Sequence, residues 1–181
     1  MSIKTRATIE DLYKVKGKAE LVDGEIILMS PTGSMPGRAG GRIYRSLDDH
    51  ERAVGGEYAF PDNVGFTVQL PHRESFSPDA GWYVGPDTGM RFPEGAPIFA
   101  AEVRSENDYG LVAEREIEAK RADYFACGTL VVWDVDLLSE DVVKVYRASD
   151  PDNPTIHRRG DIAEAEPAVP GWRLPVNDLF G

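Results

Sequence analysis

Apolar residues along the 181-residue chain change their spacing from one segment to the next. Residues 8–16 are predicted to form a short helix, with Thr8 as N-cap, Asp11 three residues on and Gly17 as the stop. From Ala19 to Met29, two apolar arms flank Asp23-Gly24, a dipeptide suited to the positive φ angles of a type I′ hairpin turn. Ser30 to Gly41 is rich in Gly, Pro and Ser and reads as a loop entering a helix. That helix carries Ile43, Leu47 and Val54 at helical spacing and ends at Gly55-Gly56.

Val64, Phe66, Val68 and Leu70 alternate with Gly65, Thr67 and Gln69, the period-two pattern of a half-buried strand stopped by Pro71. A second strand is predicted over Asp79 to Val84, and a third, apolar on both faces, over Ile98 to Val103. Residues 110–126 form a charged amphipathic helix, and Leu130 to Trp133 another buried strand. A strand pair is predicted around Val142 to Tyr146 and Thr155 to Arg158, and the tail from Pro167 to Gly181 reads as irregular. Neighbouring strands interrupted by helices at two points imply an α/β (α+β) fold: a mixed β-sheet flanked by helices, with an N-terminal hairpin and C-terminal strands added. The whole chain, 1–181, is expected to form a single domain, with no internal repeat.

Composition narrows the functional classes. With 41% hydrophobic and 28% charged residues, the chain has the make-up of a soluble globular protein. The single cysteine, Cys127, excludes an internal disulfide and a thiolate zinc cluster. The N-terminus carries Lys4, Arg6, Glu10 and Asp11 in place of a signal-peptide apolar run, and no stretch approaches the ~20 apolar residues of a membrane span. A cytoplasmic protein without membrane contact is expected. The net charge of -11 argues against broad attraction to nucleic acid, although metal-binding carboxylates contribute negative charge of their own.

Two carboxylates stand out. An ionised Glu102 inside an apolar strand is costly to bury and needs a partner, a metal or an exposed strand end. Asp79, after Pro78, fits a turn when read alone, but it could converge with Glu102 if the two strands pair side by side. On the following helix, Ala113, Ile117, Lys120 and Tyr124 share one face, which turns Lys120 toward the sheet. The roles open to Lys120 are an exposed pair with Glu116, a snorkelling stem, or an ammonium reaching a metal-bound water or a phosphate.

Ser77-Pro78-Asp79, Ala101-Glu102-Val103-Arg104-Ser105 and Lys120-Arg121-Ala122-Asp123-Tyr124, with Leu130 to Asp136 after them, resemble the bacterial restriction-endonuclease family within the PD-(D/E)xK nuclease superfamily. Glu20-Leu21-Val22-Asp23-Gly24-Glu25 and Pro170-Gly171-Trp172-Arg173-Leu174 extend the resemblance over nearly the whole chain. It implies a restriction-endonuclease-like core, with Asp79 and Glu102 as ligands of Mg²⁺ (or Mn²⁺), Lys120 as a catalytic lysine and DNA as substrate. Where the superfamily pattern has a lysine, this chain has Arg104, a poor substitute for a water-positioning amine that could still clamp phosphate. Glu20 occupies a recurrent acidic position of the family; its own context is that of an exposed strand glutamate, with a third metal ligand as the alternative. A histidine expected near Pro36 is missing.

His50, His72 and His157 are scattered without ligand spacing. Arg38, Arg42, Arg45 and Arg52 define a basic helix face, which reads as solvated and balanced by Asp48, Asp49 and Glu51 rather than as a phosphate stripe. Gly33 to Gly41 lacks the P-loop pattern. The expected function is metal-dependent hydrolysis of DNA phosphodiester bonds; the alternative is a non-catalytic nucleic-acid- or protein-binding module that keeps the nuclease fold. A homodimer would suit cleavage of both strands.

Overall fold

The computed structural model describes residues 6–181; Lys4, part of the N-terminal reading above, lies outside them. The chain opens with α1 (Ile9–Leu12), a single turn closed by a reciprocal capping box between Thr8 and Asp11. The hairpin of β1 (Ala19–Val22) and β2 (Glu25–Leu28) turns at Asp23 and Gly24, whose φ angles of 52° and 71° are those the dipeptide predicts. Then follow α2 (Ser34–Val54), β3 (Tyr58–Phe60), β4 (Phe66–Leu70), β5 (Arg73–Phe76), β6 (Ala80–Tyr83) and β7 (Phe99–Val103). The chain continues through α3 (Leu111–Ala126), β8 (Val131–Val135), β9 (Val143–Arg147), β10 (Asp150–His157), β11 (Ile162–Glu164), β12 (Arg173–Pro175) and a 3-10 turn over Val176–Leu179.

Six strands form the central sheet in the order β10-β9-β8-β7-β6-β3, antiparallel throughout except for the parallel pair β7–β8, which α3 connects. A four-stranded sheet, β2-β1-β5-β4, is separate from it. Mixed sheets with three α-helices make this the α/β (α+β) architecture that the spacing implies.

Alternation along the central strands divides the core in two. Phe99, Ala101 and Val103 of β7 join Val131, Trp133 and Val135 of β8 on one face, packed with Ile43 and Leu47 of α2. Ala100 and Val132 point the other way and pack with Phe66 and Phe76 of the four-stranded sheet and Tyr124 of α3. By the same parity Glu102 belongs to this second face, which is where the candidate chemistry collects.

Three expectations need correction. Ser34 to Gly41 is helix, not loop: Pro36 lies in the first turn, where its missing N–H would lack a partner anyway. Gly40 faces Asp79, and a Cβ at this position would meet the Asp79 Cβ at ordinary van der Waals distance. The tail is not irregular, since Trp172, Leu174, Val176 and Leu179 are buried in the larger core and Trp172 stacks on Trp133 with ring centroids 4.9 Å apart. Val54 is exposed and takes no part in that core. Strands β3, β5, β11 and β12, each three or four residues long, went unpredicted. Among the described residues, no helix is long and apolar enough to cross a membrane.

Candidate active site

Asp79 and Glu102 arrive at the same end of a strand pair. β6 and β7 run antiparallel with Ala80 opposite Ala101, Asp79 comes just before Ala80, and Glu102 just after Ala101. Asp79 is held by its backbone N–H, which donates to the Ala101 carbonyl at 3.1 Å, and by its Oδ2, which accepts the Val103 N–H at 2.7 Å. Glu102 Oε1 accepts the Tyr124 hydroxyl at 2.6 Å. Their side chains keep 23% and 27% exposure, enough for both carboxylates to meet solvent and a ligand.

Lys120 faces the sheet, as its helix face predicts, and its Nζ lies 2.8 Å from Glu102 Oε1 and 2.9 Å from Glu20 Oε1. The exposed pairing with Glu116 is therefore replaced by two partners on β7 and β1. Burial alone would lower the Lys120 pKa, but the Glu102 and Glu20 carboxylates outweigh it and raise it, so the side chain stays an ammonium.

Glu20 is not an exposed strand glutamate. Its side chain is 4% exposed, with Oε2 accepting from Arg73 at 2.7 Å and Oε1 from the Ser77 N–H at 2.8 Å. Burial pushes its pKa up, and the Lys120 and Arg73 charges with the Ser77 N–H bring it below the ordinary value. Glu102 moves the opposite way: desolvation raises its pKa, with the Asp79 and Glu20 charges adding to the rise and Lys120 opposing it.

Lys18 and Arg73 are the residues that the sequence did not flag. Lys18 Nζ lies 2.7 Å from Asp79 Oδ1 and 2.7 Å from Asp62 Oδ1. Arg73 bridges Glu20 and, through Nε at 2.8 Å, Asp123, which in turn meets His72 Nε2 at 2.6 Å. Arg73 falls in the alternation Arg73-Glu74-Ser75-Phe76, which after Pro71 is too short to stand out as a strand; Lys18 had no local signal at all.

The donor set suits a hard divalent cation. It offers oxygen atoms alone, partly open to solvent, and a cationic ammonium already rests against each of the two carboxylates. Among the described residues, no group of three or more His, Cys, Asp or Glu side chains gathers into a metal cage. Asp79 and Glu102 are the residues that could hold such an ion, with waters and a phosphate completing its shell.

Arg104 has the same parity as Glu102, but its charge is spent on Asp134, the residue opposite Glu102 on β8. Its guanidinium makes a bidentate pair with Asp134, both contacts at 2.8 Å, and a second pair with Glu114 of α3. With the side chain 6% exposed, a role as phosphate clamp is replaced by a structural one. The basic face of α2 is likewise partly spoken for: Arg42 donates to the Leu179 carbonyl and Arg52 pairs with Asp48.

The model of the Uma2 family, described as "Putative restriction endonuclease", matches residues 7–177. The chain belongs to the Uma2 family. Its fold is shared with a crystal structure described as "a putative nuclease belonging to DUF820" from Anabaena variabilis, at a TM-score of 0.72 and 17% identity, covering 96% of this chain and 97% of that one. No curated protein matches the chain. Membership of the Uma2 family agrees with a nuclease-like function and with the restriction-endonuclease-like resemblance of the motifs.

Proposed function

We propose that this Uma2 protein is a single-domain, divalent-metal-dependent nuclease that hydrolyses DNA phosphodiester bonds. The observation that carries the reading is the juxtaposition of Asp79 and Glu102 at one strand end with the Lys120 ammonium 2.8 Å from Glu102. Asp79 and Glu102 would hold Mg²⁺ or Mn²⁺. The bound ion would supply Lewis-acid polarisation of the phosphate and an acidified water.

The chain's own groups do the rest. The Val103 N–H and the Tyr124 hydroxyl fix one oxygen each of Asp79 and Glu102, so both carboxylates are oriented before any ligand arrives. Lys120, kept protonated between Glu102 and Glu20, directs a fixed positive charge at the position where a phosphate gains negative charge during attack. Arg73 and Ser77 hold Glu20, and Glu20 thereby sets where the Lys120 ammonium sits.

The test is a cleavage assay on plasmid, linear and single-stranded DNA with Mg²⁺ or Mn²⁺, comparing the wild-type protein with Glu102→Ala. Metal-dependent cleavage by the wild type alone is expected. Equal cleavage by both proteins would remove the site from the chemistry.

A further inference from the structure

Each of the two candidate metal ligands carries its own lysine. Lys120 stands against Glu102, and Lys18, the residue just before β1, stands against Asp79. Lys18 is only 17% exposed, yet its ammonium is shared evenly, at 2.7 Å from Asp79 Oδ1 and 2.7 Å from Asp62 Oδ1. The two partners differ in setting. Asp79 is 23% exposed and locked by the Val103 N–H, whereas Asp62 is 51% exposed, in the turn between β3 and β4, where Asn63 has a φ of 66° and donates its N–H to Asp62 Oδ1.

An ammonium at 2.7 Å from Asp79 Oδ1 covers one of the oxygens that a divalent cation would use. Two cations against one carboxylate oxygen repel each other, so a metal ion and Lys18 compete for Asp79. Asp62 offers the displaced ammonium a partner it already touches, and a lysine on a four-carbon stem can pivot between them without any backbone change. A freed ammonium at the rim of the site carries the charge that a phosphodiester of the incoming strand requires.

We propose that Lys18 is a displaceable internal counter-ion: it neutralises Asp79 before metal binds and, once displaced, turns toward Asp62 and binds a substrate phosphate beside the reacting one. The proposal rests on the reading of Asp79 and Glu102 as metal ligands and adds a residue that the superfamily motif does not contain. It accounts for a lysine resting against each carboxylate of the pair.

The experiment is Mn²⁺ titration of the full chain without DNA, by calorimetry, for wild type, Lys18→Met, Lys18→Gln, Lys18→Arg and Asp79→Ala. Lys18→Met and Lys18→Gln should bind Mn²⁺ about fivefold more tightly than wild type, the gain expected from removing one part-buried ion pair. Lys18→Arg should bind as wild type does, and Asp79→Ala should lose binding. With saturating Mn²⁺, Lys18→Met should raise KM for DNA about fivefold with little change in kcat, and Lys18→Arg should restore KM. Unchanged or weaker Mn²⁺ binding by both neutral variants, with binding lost in Asp79→Ala, overturns the counter-ion role and leaves the carboxylate site standing. Unchanged binding by Asp79→Ala overturns both.

Discussion

Arg104 and Asp134 meet through two parallel hydrogen bonds of 2.8 Å, Nε to Oδ1 and Nη2 to Oδ2, where β7 and β8 run side by side. The two side chains are 6% and 5% exposed, so each is the main neutraliser of the other. The position that carries a lysine in the superfamily motif is thus a clamp between two parallel strands and α3, and in the proposed reading the amine function would fall to Lys120.

Removing that clamp should act on stability rather than on metal binding. Arg104→Ala leaves the Asp134 carboxylate buried without its partner, which costs roughly 3–5 kcal/mol. Chemical denaturation should show that loss, and Arg104→Lys should recover only part of it because an ammonium cannot reproduce the fork. Mn²⁺ affinity of the folded Arg104→Lys protein should match that of wild type.

Lys120→Met should reduce cleavage by about 100-fold or more, the scale seen when one preorganised charge or donor is taken from a reacting group. Lys120→Arg should not recover it, since a planar guanidinium does not fit as a point charge between single oxygens of Glu20 and Glu102. Single-turnover rates at saturating metal are the measurement.

Glu20 and Glu102 should shape the pH dependence of stability with opposite signs. The folded pKa of Glu20 is depressed below 4.5, so its contribution is complete above that value and is lost as pH falls through the folded pKa. The gap in stability between wild type and Glu20→Gln should therefore narrow below about pH 4.5. The folded pKa of Glu102 is raised above 4.5, so its contribution is complete below that value and fades as pH rises through the folded pKa. Glu102→Gln should accordingly gain on wild type as pH rises from that value toward neutrality, read from urea midpoints across the range.

Tyr124→Phe should separate packing from polarity at Glu102. The ring stacks on Phe76 with centroids 3.9 Å apart, and that contact survives the change. Loss of the 2.6 Å hydrogen bond to Glu102 Oε1 costs about 1 kcal/mol of stability. It also removes a donor that favours the ionised carboxylate, so the acid limit of Mn²⁺ binding should move to higher pH.

Some of the site was legible because its signals are local. Asp23-Gly24 specifies its own turn, strand alternation sets which way Glu102 points, and the three- and four-residue spacing around Lys120 turns that lysine inward whatever lies opposite. The placement of Asp79 beside Glu102 needed one tertiary fact, the pairing of β6 with β7.

The chain alone therefore determined the longer elements, the mixed α/β class and the faces on which Glu102 and Lys120 stand, since helical and strand periodicities act between near neighbours. Only the tertiary structure decided which charge meets which. Lys18 reaches Asp79 across 61 positions and Arg73 reaches Glu20 across 53, and such pairs leave no periodic trace in the sequence. Burial enforces them: a carboxylate withdrawn from water must take whichever cation the packed sheets and helix bring to it.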